Sequence, residues 1–194
     1  MPVDHVVRYL WILRHAKASA DAPSGGSDMR RPLAERGRRD ATALGRRLAA
    51  GEGVFGLEGV PIPEVMLCSS AIRTNQTAQL VRRELGATQP LELYRSLYGA
   101  TAETALRYVR EIDDGARSAL LVGHNPTVYQ LAFDLVGPVP GAGEPDPAES
   151  ADLDRLRNHG FPTCALAVVA LPVDSWEEVA EGRGWLAGVF SPPY

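Results

Sequence analysis

A chain of 194 residues with 45% hydrophobic content can bury one sizeable core and is short for two, so a single domain over 1–194 is expected. Twenty-four acids against 20 bases give a formal charge of -4, which removes any general attraction to nucleic acid or to an anionic membrane surface. Its two cysteines, Cys68 and Cys164, sit in separate apolar segments without CxxC or Cys/His spacing; neither a disulfide framework nor a zinc site is supported, and both read as small core residues.

Taken from the start, the opening MPVDHVVRYLWILRHA carries Asp4, His5 and Arg8 where a secretion signal needs an unbroken apolar run. No later run reaches the roughly twenty apolar residues of a membrane span, so a cytoplasmic location is expected. Tyr9 to Leu13 (YLWIL) reads as a buried strand that stops at Arg14 and His15. A polar loop with Pro23, Gly25 and Gly26 follows, and then leucines and alanines at helical spacing from Glu35 to Ala50, closed by Gly51. Arginines crowd this region (Arg30, Arg31, Arg36, Arg38, Arg39, Arg46, Arg47), but Asp28, Glu35 and Asp40 are interleaved, and the plain reading is a solvated helical face.

The unit repeats: strand at Glu64 to Cys68, a break at Ser69 and Ser70, and a helix from about Ile72 to Leu85 stopped by Gly86. Leu91 to Leu93 is a short strand, Ala102 to Ile112 a helix, Ser118 to Val122 (SALLV) a buried strand leading into Gly123 and His124, and Thr127 to Leu135 a helix. Gly137 to Ala148 is too rich in Pro and Gly for regular structure and reads as a surface insertion, followed by a short polar helix. Ala165 to Leu171 and Gly184 to Phe190 are strand-like and separated by a hydrophilic turn, which predicts a hairpin at a sheet edge.

Strands alternating with helices predict an α/β fold, a three-layer sandwich with a mostly parallel central sheet. Ligands of such sheets sit beyond the carboxyl ends of the strands. There the sequence places Arg14 and His15, Ser69 and Ser70, and His124 and Asn125, with Arg73 just after the second strand. Two imidazoles and two guanidiniums suit an anionic, phosphate-bearing substrate. No carboxylate cluster that would hold magnesium accompanies them, so no metal and no cofactor are expected. Ser69 and Asn125 are candidates to support such a pocket, although short polar residues at strand ends usually serve turns or caps.

Leu13-Arg14-His15-Ala16 resembles the RHG or RHA signature of the histidine phosphatase, or phosphoglycerate mutase-like, superfamily. The chain is more similar still to the small SixA-like branch. That resemblance runs in order through Arg14-His15-Ala16-Lys17, Asp28 with Arg31-Pro32-Leu33 and Arg36-Gly37, Ser69-Ser70 with Arg73 and Gln76-Thr77, Leu97-Tyr98, Val122-Gly123-His124-Asn125-Pro126 and Phe161-Pro162-Thr163. It implies that His15 attacks phosphorus and becomes a phosphohistidine that water hydrolyses, with Arg14 and Arg73 on the nonbridging oxygens and His124 donating to the same group. The expected partner is a phosphorylated small molecule or a phosphohistidine protein.

Attack needs a neutral imidazole whose second nitrogen is held by an acceptor such as a backbone carbonyl. Many members of the superfamily protonate the leaving group with a carboxylate; Glu103 and Asp28 are the candidates here, against simpler readings as a helix-start charge and as an organiser of the loop paired with Arg31. A phosphate-binding module with little turnover is the alternative in a different class, and a mutase a third. Both histidines and both arginines are present, and binding alone does not need a free nucleophile, so a hydrolase is the expectation.

Overall fold

Side chains alternate across a strand, and the first strand shows what that does here. In β1 (Val7–Arg14), Leu10 and Ile12 belong to one apolar cluster and Trp11 and Leu13 to another, all at 4% exposure or less. The sheet therefore has a core on each face. The computed structural model describes residues 6–51, 60–137 and 147–194.

One face is covered by α1 (Glu35–Ala49) and α2 (Ile72–Leu85), the other by α3 (Ala102–Arg110), α4 (Thr127–Leu135) and α5 (Pro147–His159), which gives the three layers. In α1 the buried residues Gly37, Ala41, Leu44, Gly45 and Leu48 form one helical stripe. Gly45 allows a close approach to α2: a Cβ there would lie 2.9 Å from the carbonyl oxygen of Val81. The exposed arginines of α1 are largely matched along its surface, Arg39 with Glu35, Arg36 with Asp40 and Arg46 with Glu84 of α2, as a solvated helical face requires.

The strands β2 (Val65–Ser69), β3 (Leu91–Tyr94), β4 (Ser118–Gly123), β5 (Leu166–Pro172) and β6 (Trp185–Phe190) complete a six-stranded sheet in the order β3-β2-β4-β1-β5-β6. β1, β2, β3 and β4 are parallel; β5 runs against β1, and β6 pairs antiparallel with β5 as an edge hairpin. The connection within that hairpin is not simply hydrophilic. Trp176 is fully buried there, and its indole N–H donates to the carbonyl of Ala116 at 2.8 Å. The polar helix expected after the insertion has 13 residues; Asp152 from it accepts the backbone N–H of Val189 at 3.0 Å, occupying part of the otherwise open edge of β6. Of the expected insertion at 137–148, residues 138–146 lie outside the described residues, and α5 begins at Pro147.

The helix expected to reach Ile112 ends at Arg110. Ile112 turns its N–H to Val109 in a tighter turn and stays buried, which keeps its apolar contact without continuing the helix. No helix among the described residues is long and apolar enough to cross a membrane.

Candidate active site

The register of the three central strands brings the polar residues at their ends together. Arg14 of β1 lies beside Gly123 of β4, and Cys68 of β2 beside Val122, so His15, Ser69 and His124 emerge at one edge. The His15 N–H donates to the Gly123 carbonyl at 3.1 Å, stitching the two loops at their origin. The His15 and His124 rings lie 5.1 Å apart at 57°. Arg73, in the first turn of α2, reaches the same place, with Nη2 3.4 Å from His124 Nδ1.

The hydrogen bonds of His15 define its tautomer. Nδ1 lies 2.8 Å from the carbonyl oxygen of Ala16, which can only accept, so Nδ1 carries the proton and Nε2 keeps its lone pair. Burial lowers the His15 pKa to about 4, partly opposed by the Ala16 bond and reinforced by the charges of Arg73, Arg14 and Arg31. His124 is pushed down to about 3, chiefly by burial and then by His15 and Arg73, with Asp28 pulling the other way. Both imidazoles are neutral at physiological pH.

His124 departs from the expected donor in its resting state. A guanidinium cannot accept, so His124 Nδ1 presents its lone pair to Arg73, and Nε2–H donates to Ser69 Oγ at 2.9 Å. Ser69 thus bonds a histidine of the site, and α2 takes no side-chain cap from it. Asn125 donates from Nδ2 to the Phe161 carbonyl at 2.9 Å, the same oxygen that Arg14 Nη1 reaches at 2.7 Å. Arg14 Nε is buried and, among the described residues, has no hydrogen-bond partner. Burial also lowers the Arg14 pKa.

The two carboxylate candidates for leaving-group protonation are placed differently. Glu103 is exposed in the first turn of α3, opposite the helix dipole, with Thr101 capping that turn, and it makes no hydrogen bond or ion pair with the pocket. Asp28 does reach the pocket, but its carboxylate is held well below the usual range by hydrogen bonds from Arg31, Tyr98 and Arg73. A carboxylate so held gives up its proton readily, which favours the organising reading of Asp28.

Three further contributors stand in motif segments quoted above without a role assigned to them from the sequence. Tyr98 donates its hydroxyl to Asp28 Oδ2 at 2.8 Å and stands edge-on to His124, with ring centroids 5.4 Å apart at 89°. Thr77 Oγ1 accepts the backbone N–H of Ala16 at 3.0 Å and donates to the Arg73 carbonyl, joining α2 to the loop that bears His15. The Phe161 contribution is a main-chain oxygen, which no residue type announces.

Residues 10–98 match the family model of the histidine phosphatase superfamily (branch 1). The uncharacterized protein Rv1276c of Mycobacterium tuberculosis (strain H37Rv) is 32% identical over 180 residues, 93% of this chain and 99% of that protein. Among solved structures, SixA of Nakamurella multipartitia, assigned as a phosphohistidine phosphatase, superimposes with a TM-score of 0.74 at 28% identity, covering 97% of this chain and 98% of that one. SixA of Agrobacterium tumefaciens, with the same assignment, gives 0.68 at 28% identity over 95% and 99% of the two chains. With the fold, the ordered strand-end residues and these likenesses in agreement, the chain belongs to the histidine phosphatase superfamily, in its SixA-like branch, and is a phosphatase.

Proposed function

We propose that this phosphatase works without a metal ion and through a phosphohistidine at His15, with Arg14, Arg73 and His124 as its phosphate pocket. The observation that carries the reading is the Nδ1–Ala16 bond, which leaves Nε2 of a neutral, partly buried imidazole as the nucleophile within the field of the Arg73 and Arg14 charges. A divalent cation at this place would face two guanidiniums, whereas a phosphoryl group is attracted by them.

In the first step the Nε2 lone pair forms a bond to phosphorus while the bond to the leaving group breaks, and the leaving group keeps the electron pair and takes up a proton. In the second, water attacks phosphorus, the P–N bond to His15 breaks, and inorganic phosphate leaves. Arg14 and Arg73 hold nonbridging oxygens through both transfers. Ser69 suits either tautomer of His124, because a hydroxyl both donates and accepts: by rotating, it lets Nδ1 exchange its lone pair for a proton and donate to the phosphoryl oxygen.

Neither Asp28 nor Glu103 is placed as a leaving-group acid, and a phosphoramidate needs that help less than an alkyl ester does. A phosphohistidine on a protein therefore fits the pocket better than a poor-leaving-group ester. The test is rapid quench without acid and intact-mass measurement of wild type and His15→Ala with para-nitrophenyl phosphate and with a phosphohistidine protein. A transient phosphoryl adduct and product from wild type, both absent in the variant, are expected. Turnover by a folded His15→Ala protein would remove the nucleophile assignment, and full loss of wild-type activity in a chelator, restored by a divalent metal, would overturn the metal-free reading.

A further inference from the structure

Arg73 is 7% exposed, and Asp28 takes a hydrogen from each of its terminal nitrogens: Nη1 donates to the Asp28 carbonyl at 2.7 Å and Nη2 to Oδ2 at 2.8 Å. Two parallel bonds to one residue occupy the end of the guanidinium fork. The second hydrogen of Nη2 is the one nearest His124 Nδ1, so the side edge of the fork faces the pocket. Asp28 is itself held: Oδ1 accepts from Arg31 Nη1 and Oδ2 from the Tyr98 hydroxyl, each at 2.8 Å. Tyr98 closes the circle, with the Arg73 guanidinium 5.8 Å from its ring centroid and the His124 ring perpendicular to its own.

The loop that carries this carboxylate has closures besides the Asp28–Arg31 pair. That loop is already closed by Ser19 N–H to Pro32, Ala34 N–H to Lys17 and Leu33 N–H to Gln76 Oε1. Among the described residues, Asp28 is the one carboxylate in ion-pair contact with Arg73, and its side-chain carboxylate accepts from Arg31, Arg73 and Tyr98. A long arginine side chain would otherwise turn its fork toward whichever acceptor is nearest, and a misdirected donor loses most of its worth to a transition state.

We propose that Asp28, braced by Tyr98, is a positioning residue that grips the end of the Arg73 fork and so reserves its side edge for phosphoryl oxygens. The proposal rests on the phosphatase pocket described above and adds a role that neither Asp28 nor Tyr98 has in that reading. It acts through Arg73 alone, and a double-mutant cycle separates that from a structural part in the loop.

The experiment measures tungstate affinity by titration calorimetry at pH 7 for wild type, Asp28→Ala, Tyr98→Phe, Arg73→Ala and Asp28→Ala/Arg73→Ala, with thermal midpoints to confirm folding. Asp28→Ala is expected to weaken tungstate by about 10-fold or more in the wild-type background and by less than about 2-fold once Arg73 is gone; Tyr98→Phe weakens it by a smaller factor. Equal losses in both backgrounds, or tighter binding by Asp28→Ala, would overturn the proposal. A ligand-free readout accompanies it: rotation of the Arg73 guanidinium, followed by nitrogen NMR, is slow in wild type and fast in Asp28→Ala. If wild type binds no tungstate, the pocket reading fails, and the NMR result still decides whether Asp28 grips Arg73.

Discussion

His15 shows how one hydrogen bond and partial burial prepare a side chain for nucleophilic attack. The Ala16 carbonyl chooses the tautomer, and burial lowers the pKa from the ordinary 6.5 to about 4, so the free enzyme holds a lone pair on Nε2 throughout the physiological range. A proton NMR titration of the His15 ring is expected to give a midpoint below 5; a midpoint near 6.5 would mean a solvated ring that the structure does not describe. His124 depends on a different neighbour. With His124 only 9% exposed, Ser69→Ala leaves its Nε2–H without an acceptor, and a loss of about 1–3 kcal/mol in stability by urea unfolding is expected. Turnover should fall as well, since the ring is then free to rotate away from Arg73. An unchanged unfolding curve would mean that the contact contributes nothing.

At the level of elements, the contact that sets the pocket is the seating of α1 against the loop after β1. A Cβ at Gly37 would stand 2.1 Å from the Lys17 carbonyl oxygen, a backbone atom two residues beyond His15. Helix propensity alone would make Gly37→Ala stabilising by about 1 kcal/mol. The collision outweighs that, because neither the helix backbone nor the loop can yield without moving the other. A net loss of about 1–3 kcal/mol and reduced turnover are expected, and a thermal melt paired with an assay checks both. A more stable, fully active variant would show that α1 is not seated as described.

Elements of this kind were legible in the sequence where periodicity and a stop signal coincided. The α2 range was readable from its spacing and from Gly86, which adopts the left-handed φ of 74° at the helix end. The hairpin strands were legible by composition, but Trp176 between them was not, because a lone aromatic among acids gives no period. Its burial follows from the apolar cluster it joins, the Ala116 carbonyl that takes its indole N–H and the nearby Arg8 guanidinium.

For the whole molecule, two neutral histidines, one buried and one partly buried, are expected to give the fold a pH dependence. Both have folded pKa values, about 4 and about 3, below the unfolded 6.5, so the unfolded chain takes up protons first as pH falls. Their contribution is fully present above pH 6.5 and is lost as pH drops through 6.5 toward 4 and then 3. Asp28, held below its ordinary 3.8, adds a loss that begins only near that lower value. The urea midpoint is therefore expected to be level from pH 7 to 8 and to fall between pH 6 and 4, with the fall reduced in a His15→Gln/His124→Gln protein. An unchanged slope in that variant would assign the acid sensitivity elsewhere.

The convergence of Arg14, His15, Arg73 and His124 was legible because each stands at or just past a strand end, and parallel strands put those ends together. The bracing of Arg73 by Asp28 and Tyr98 was not, since 70 residues separate that pair and only the folded loop joins them.

Four of the bonds that aim the pocket end on main-chain oxygens: His15 on Ala16, Arg73 on Asp28, and Arg14 and Asn125 together on Phe161. A peptide carbonyl is the one acceptor that every amino acid carries, so replacing the side chain at 16 or 161 leaves it in place. The aim of the nucleophile is thereby buffered against drift at those positions. Ala16 and Phe161 are both buried in the apolar clusters, so a substitution at either is felt through packing and not through loss of the acceptor that aims the site.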